Sequence, residues 1–139
     1  LTKEAFPIIR YRTRDLTRLL PGTARSMRRM QKVTGRTDDM IILRGVNVFP
    51  TQIEECLMAT SGLSPHFQIE LSRPKKMDQM LVLCEVKKPE IDEKKREIFG
   101  RNLIDRIKQS IGISVAVEVA EAGSIERSLG KAVRIIDKR

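Results

Sequence analysis

Tryptophan is absent from the 139 residues, and there are only one tyrosine, one histidine and two cysteines. Each shortage removes a class of answer. With so few aromatics the core must rest on Ile, Leu, Val and Met. A Ser-His-Asp or Cys-His arrangement could only be built on His66, which lies between a proline and a strand-like segment with no cue of activation. Cys56 and Cys84 sit among apolar residues with no second thiol or histidine at ligand spacing, so they read as small buried hydrophobes and not as a disulfide or a zinc site. There is no apolar signal segment at the N-terminus, and no run approaches the ~20 apolar residues needed to span a bilayer. A reducing, cytoplasmic setting away from membranes is the expectation.

What is present is a folded composition with an uneven charge. Forty per cent apolar residues argue for a packed protein and against disorder. The length suits one compact core, or a domain of ~100 residues with an extension. The net charge of +9 is concentrated at one end: residues 1–36 hold 10 Lys/Arg against 2 Asp/Glu, and residues 37–139 hold 17 against 16. The sign change makes Gly35 a candidate boundary. A basic first quarter is one form of nucleic-acid footprint. Only Phe6 and Tyr11 accompany those charges as stacking platforms, and no binding motif is present, so nucleic acid is not the expected partner and stays an alternative.

Residues Ile8 to Thr13 read as a strand continued by Asp15 to Leu20, with Pro21-Gly22 as a turn and Met27 to Val33 as the returning arm of a hairpin. Met40 to Leu43 is a short apolar strand. Thr51-Gln52-Ile53-Glu54 has the form of a capping box, predicting a helix to about Thr60 that Gly62 closes. Phe67, Ile69 and Leu71 alternate with polar residues, and Met80 to Val86 is nearly continuously apolar, predicting two strands joined through Arg73 to Gln79. Phe99, Leu103, Ile104, Ile107 and Ile111 repeat at helical spacing until Gly112. Val115 to Ala120 and Ala132 to Ile136 are further strands. The order from Met40 to Ala120 predicts an α+β, ferredoxin-like domain, an antiparallel sheet with two helices on one face, preceded by a β-hairpin extension. Unpaired hairpin edges leave room for self-association of the chain.

Two short motifs carry less than they suggest. Asp38-Asp39 are adjacent carboxylates whose side chains diverge, as in a turn, and no metal site is expected. Gly130-Lys131 lacks the Gly-x-x-x-x-Gly-Lys-Ser/Thr form of a phosphate loop, yet a lysine behind a glycine can reach into a site built elsewhere.

Three separated stretches acquire meaning together: Tyr11-Arg12-Thr13-Arg14-Asp15-Leu16, then Gly35 to Met40 running through Arg44-Gly45-Val46-Asn47-Val48-Phe49-Pro50, and Ser128-Leu129-Gly130-Lys131-Ala132. Their order and spacing resemble the C-terminal end of the adenylate-forming enzymes, and the wording around Gly45 is similar to the phenylacetate–coenzyme A ligase branch. The resemblance covers essentially the whole chain. It implies a fragment, with residues 1–34 as the last strands of a large adenylating domain and residues 35–139 as the small mobile domain. The full enzyme would join an aryl acid to ATP as an acyl-adenylate and pass the acyl group to coenzyme A. ATP and coenzyme A would be substrates, Mg2+ would accompany ATP, and the partner would be the chain's own N-terminal adenylating domain. The fragment alone would be inactive. A non-catalytic interaction module is the other alternative.

The resemblance also assigns residues. Asp15 matches the aspartate that accepts from the ribose hydroxyls of ATP, and Arg36 the arginine near the nucleotide. Asp38 matches the hinge, Gly45 the glycine bordering the pantetheine tunnel, and Lys131 the lysine that supports adenylation. Arg14 stands where most of these enzymes have glycine, a departure shared with the phenylacetate branch. The basic first quarter would then face ATP and the phosphates of coenzyme A.

Overall fold

A computed structural model of the chain describes residues 10–23, 26–37, 39–126 and 134–139. The chain divides into two compact units, Leu1–Asp39 and Met40–Arg139.

Within the first unit the chain forms a long hairpin with an interrupted ladder. β1 (Asp15–Leu16) pairs antiparallel with β4 (Gly35–Arg36), and β2 (Leu19–Leu20) pairs antiparallel with β3 (Arg29–Met30). Between them the Thr17 hydroxyl donates to the Gln31 carbonyl (2.6 Å) and the Thr34 N–H to the Leu16 carbonyl (3.0 Å), so the two arms stay joined where regular pairing lapses. Pro21 and Gly22 lie at the turn end, as their chemistry predicts. The expected strand over Ile8 to Thr13 is not formed at residues 10–13. Arg10 (φ 56°) and Arg14 (φ 66°) are left-handed there, which breaks an extended run. Tyr11, Leu19, Met27 and Met30 are exposed, because a two-stranded ribbon has no second layer in which to bury them.

The second unit opens with β5 (Ile41–Leu43) and β6 (Val46–Val48), an antiparallel pair in which Leu43 faces Val46. Helix α1 (Pro50–Met58) follows, then strands β7 (Leu63–Ser72) and β8 (Gln79–Val86), helix α2 (Glu93–Ile111), β9 (Ala116–Ala120) and β10 (Ile135–Asp137). The four last strands form one sheet in the order β10-β7-β8-β9. Helix α1 lies against β7, α2 against β9, and the helices touch each other, so both cover the same face. The α+β class is thus observed.

The ferredoxin-like detail is corrected. The strand after Met40 does not enter the sheet. Its partner is β6, reached through a two-residue turn, Arg44-Gly45, in which both residues have positive φ (50° and 83°), the conformation that folds a hairpin back on itself. The sheet is also mixed and not antiparallel: β7 and β8 are antiparallel, whereas β8–β9 and β10–β7 are parallel. For β8–β9 the cause is α2, a crossover long enough to return the chain parallel beside the strand it left.

The helix starts also differ in detail. α1 begins at Pro50 with Phe49 as N-cap, and the Gln52 side-chain oxygen accepts the Phe49 N–H at 3.0 Å, so the Thr51–Glu54 box is not used. Proline needs no partner for an N–H it lacks and has the helical φ already set, which favours it at the first position. α2 is capped by Asp92, whose carboxylate accepts the Lys95 N–H at 2.9 Å, and it ends at Gly112 as expected.

The core sits between sheet and helices. Phe67, Ile69 and Leu71 of β7 face Cys84, Val82 and Met80 of β8, and all are buried with Ile53 and Leu57 of α1 and Leu103 and Ile107 of α2. Each large apolar side chain so buried is worth ~1.5–3 kcal/mol. Ile41, Leu43 and Val48 join this core from the β5–β6 hairpin, which explains why a peripheral two-stranded pair is held at all.

Candidate functional site

In the first unit the pairing register sets Asp15 directly opposite Arg36. Cross-strand neighbours stand ~4.5–5.5 Å apart at Cβ, so a carboxylate and a guanidinium occupy one short stretch of the ribbon. Asp15 is exposed and Arg36 half-buried. The left-handed Arg14 precedes Asp15, and its carbonyl accepts from the N–H (2.8 Å) and hydroxyl (3.3 Å) of Thr37, which locks the pair's register from the far side. An acceptor-only carboxylate beside a cation can take a diol and an anionic group together. The two residues matched to nucleotide binding are thus brought together, although 20 residues separate them in the chain. Asp38 lies outside the described residues.

In the second unit Gly45 occupies the tip of the β5–β6 hairpin. A Cβ built there meets nothing within 4 Å, so the domain's own packing leaves the tip open. The preceding Arg44 donates to the Ser114 carbonyl (2.5 Å), tying the tip to the segment between α2 and β9. Gly45 therefore stands on a supported, uncluttered edge that another surface can approach closely.

Lys131 lies outside the described residues, as does the whole Ser128-Leu129-Gly130-Lys131-Ala132 motif. The chain on either side of it is held firmly. Before it, the amides of Gly123 and Ile125 donate to Glu85 Oε2 (3.1 and 3.3 Å), while Ser64 donates to Glu85 Oε1 (3.0 Å). After it, Arg134 makes a two-pronged contact with Glu54 (2.7 and 3.1 Å) and lies 5.1 Å from the Phe67 ring centre. Its carbonyl accepts from Ile69 (2.7 Å). These anchors are not visible in the motifs. The one available signal is Glu85 itself, the single charge in the otherwise apolar run Met80–Val86 of that strand.

Elsewhere among the described residues, Arg139, Asp137 and Cys84 are held by the fold. Arg139 bonds Asp137, Asp78 and the Ile42 carbonyl, fastening the last strand to the β7–β8 turn and to β5. The Arg139 hydrogen bonds pull the Asp137 carboxyl down to about 2. Burial, reinforced by the neighbouring Glu85 charge, pushes the Cys84 thiol up to about 12, which leaves no thiolate for nucleophilic chemistry. His66 is exposed on β7. Among the described residues no cluster of three or more His, Cys, Asp or Glu could hold a metal ion, and no helix is long and apolar enough to cross a membrane.

Comparison with known proteins adds three findings. Residues 45–139 match the AMP-binding enzyme C-terminal domain family. All of the chain aligns with the phenylacetate-coenzyme A ligase of Escherichia coli K12 at 52% identity, covering 32% of that protein, and similar ligases from Aromatoleum evansii and Pseudomonas putida match over the same share. The chain thus spans about a third of the length of the curated relatives it matches. Among solved structures, a domain of a phenylacetate-coenzyme A ligase from Bacteroides vulgatus superposes with a TM-score of 0.66 at 32% identity, over 73% of this chain and 94% of that one. A 2-hydroxyisobutyryl-CoA ligase in its postadenylation state superposes with a TM-score of 0.78 at 30% identity, over 91% of this chain and 28% of that one.

Proposed function

Since the chain belongs to the AMP-binding enzyme C-terminal domain family, we propose that it is the C-terminal part of an ATP-dependent aryl acid–coenzyme A ligase acting on phenylacetate. The observation that carries this is the whole-chain match at 52% identity, which takes in all three motif stretches at once. In the first half-reaction the acid's carboxylate attacks the α-phosphorus of ATP, giving an acyl-adenylate and releasing diphosphate. In the second, the thiol of coenzyme A attacks the acyl carbon and AMP leaves. The first unit, whose hairpin runs past the expected Gly35 boundary through Arg36 to a division after Asp39, goes with the adenylating domain, the partner of residues 40–139, and ATP-linked chemistry of this sort suits the cytoplasm. Mg2+ would accompany the phosphates of ATP.

The residues take the following parts in this reading. Asp15 accepts from the ribose hydroxyls, and Arg36, its cross-strand neighbour, faces the nucleotide's negative charge. Asp38 is the hinge whose backbone rotation exchanges the adenylating and thioester-forming arrangements. Gly45, on its open hairpin tip, borders the path of the pantetheine thiol, where a side chain would obstruct it. Lys131 offsets the charge of the acid and the α-phosphate as they approach.

The test is to assay the half-reactions separately in the full-length enzyme. Lys131→Ala is expected to slow adenylate formation by on the order of 10²–10³ while sparing transfer from a supplied acyl-adenylate to coenzyme A. Lys131→Arg is not expected to rescue it, because a planar fork does not replace a compact point charge. Adenylate formation at the parental rate in the alanine variant would make Lys131 a surface lysine and remove the reading.

A further inference from the structure

Glu85 is only 1% exposed, yet it lies between Cys84 and Val86 on a core strand where an apolar side chain would fit the surroundings. Burying a carboxylate is unfavourable unless its oxygens are bonded, and replacing a buried charged group by a hydrophobe is often neutral or stabilising. Stability alone is therefore a poor reason for it. Its contacts point elsewhere: Ser64, itself buried, orients Oε1, and Oε2 gathers the amides of Gly123 and Ile125. The latter belong to a turn, closed by Ser124 bonding back to Glu121 through its hydroxyl (2.8 Å) and N–H (3.3 Å), that leads into the Lys131 segment. The far root of the same segment is held by Arg134, through Glu54 and the pairing of β10 with β7.

We propose that Glu85 is a positioning residue for adenylation, acting through Lys131: its carboxylate fixes the root from which the lysine is presented. This rests on the reading of Lys131 given above. A side chain is delivered only as accurately as the chain on either side of it is held, and a misplacement of 1 Å is commonly worth ~10²-fold in rate. Removing the carboxylate leaves the part-buried amides of Gly123 and Ile125 to seek other partners, and the turn shifts with them. Glutamine keeps the arrangement: its Oε1 can accept from both amides while Nε2 donates to the Ser64 hydroxyl.

The experiment uses the full-length enzyme with both half-reactions measured for Glu85→Ala, Glu85→Gln, Lys131→Ala and the Glu85→Ala/Lys131→Ala double variant. Glu85→Ala is expected to slow adenylation by about 10–100-fold and leave thioester formation within about twofold of the parent, with Glu85→Gln near the parent in both. In the Lys131→Ala background the Glu85 change should add nothing, since it acts through the lysine. Equal loss of both half-reactions, or multiplicative losses in the double variant, would mean a structural role and overturn the proposal. Unchanged adenylation in Glu85→Ala beside a crippled Lys131→Ala would overturn this step alone, whereas an active Lys131→Ala would remove its premise as well. Should Glu85→Ala fail to accumulate, Ser64→Ala carries the same test by releasing Oε1: selective loss of adenylation supports the proposal, and equal or absent effects overturn it.

Discussion

Gly62 offers a quantitative check on the packing, because two penalties meet there that can be separated. It ends the connection from α1 to β7 with φ 91°, and its carbonyl accepts the Lys87 N–H (2.9 Å), so the backbone cannot relax to a negative φ without losing that bond. Alanine at a left-handed position costs ~1–2 kcal/mol. A Cβ at Gly62 would also lie 2.5 Å from two atoms of the Phe99 ring, and overpacking of this kind costs ~1–3 kcal/mol. Gly62→Ala should therefore destabilise the second unit by ~2–5 kcal/mol. Gly45→Ala, at φ 83° with nothing within 4 Å, supplies the backbone penalty alone, ~1–2 kcal/mol. Urea unfolding of this chain, with linear extrapolation at equal m-values, measures both. Phe99→Leu in the Gly62→Ala background should recover part of the loss through a favourable coupling term. Equal destabilisation by the two alanine substitutions, with no recovery from Phe99→Leu, would refute the packing of α2 over the α1–β7 connection.

Two further outcomes follow from the titrating groups. The Asp137 carboxyl is depressed in the folded state to about 2, mainly by its bond from the Arg139 guanidinium, so it stabilises the fold above the unfolded value of ~3.9 and the contribution is lost as pH falls from there toward 2. Asp78 is lowered too, first by Arg73 and then by Arg139, against desolvation, and titrates in the same sense. Arg139→Ala should flatten the dependence of stability on pH between about 4 and 2, and an unchanged slope in acid unfolding would contradict the assignment. The Cys84 thiol, pushed up to about 12, should resist iodoacetamide at pH 8 in the folded protein and react once urea unfolds it; rapid native alkylation at Cys84 would show that the strand opens.

The chain's local chemistry foretold those elements whose period and punctuation agree. The alternation Phe67-Ile69-Leu71, the apolar run of β8 and the amphipathic α2 stopped by Gly112 all appear where periodicity predicts them. The residues of the candidate site were also legible, since Asp15, Arg36 and Gly45 belong to motifs whose wording survives in the sequence; Asp38 and Lys131 share that legibility but lie outside the described residues. What the pattern misjudged was partnership. β5 looks like a sheet strand because apolar residues in a short extended run bury equally well in a hairpin, and only the left-handed Arg44-Gly45 turn decides that β6 takes it.

By itself, then, the sequence determined what most segments of the second unit are, because hydrophobic period, turn residues and caps act over a few positions. It also determined which superfamily chemistry the motifs resemble. The tertiary structure alone decided what meets what: Asp15 across from Arg36, β10 parallel beside β7, Arg134 on Glu54, and Glu85 on the amides of Gly123 and Ile125. Those pairings join residues 21 to 80 positions apart. No local preference encodes them, since they arise only when the core has closed and each buried polar group must find a partner or suffer the cost of leaving water.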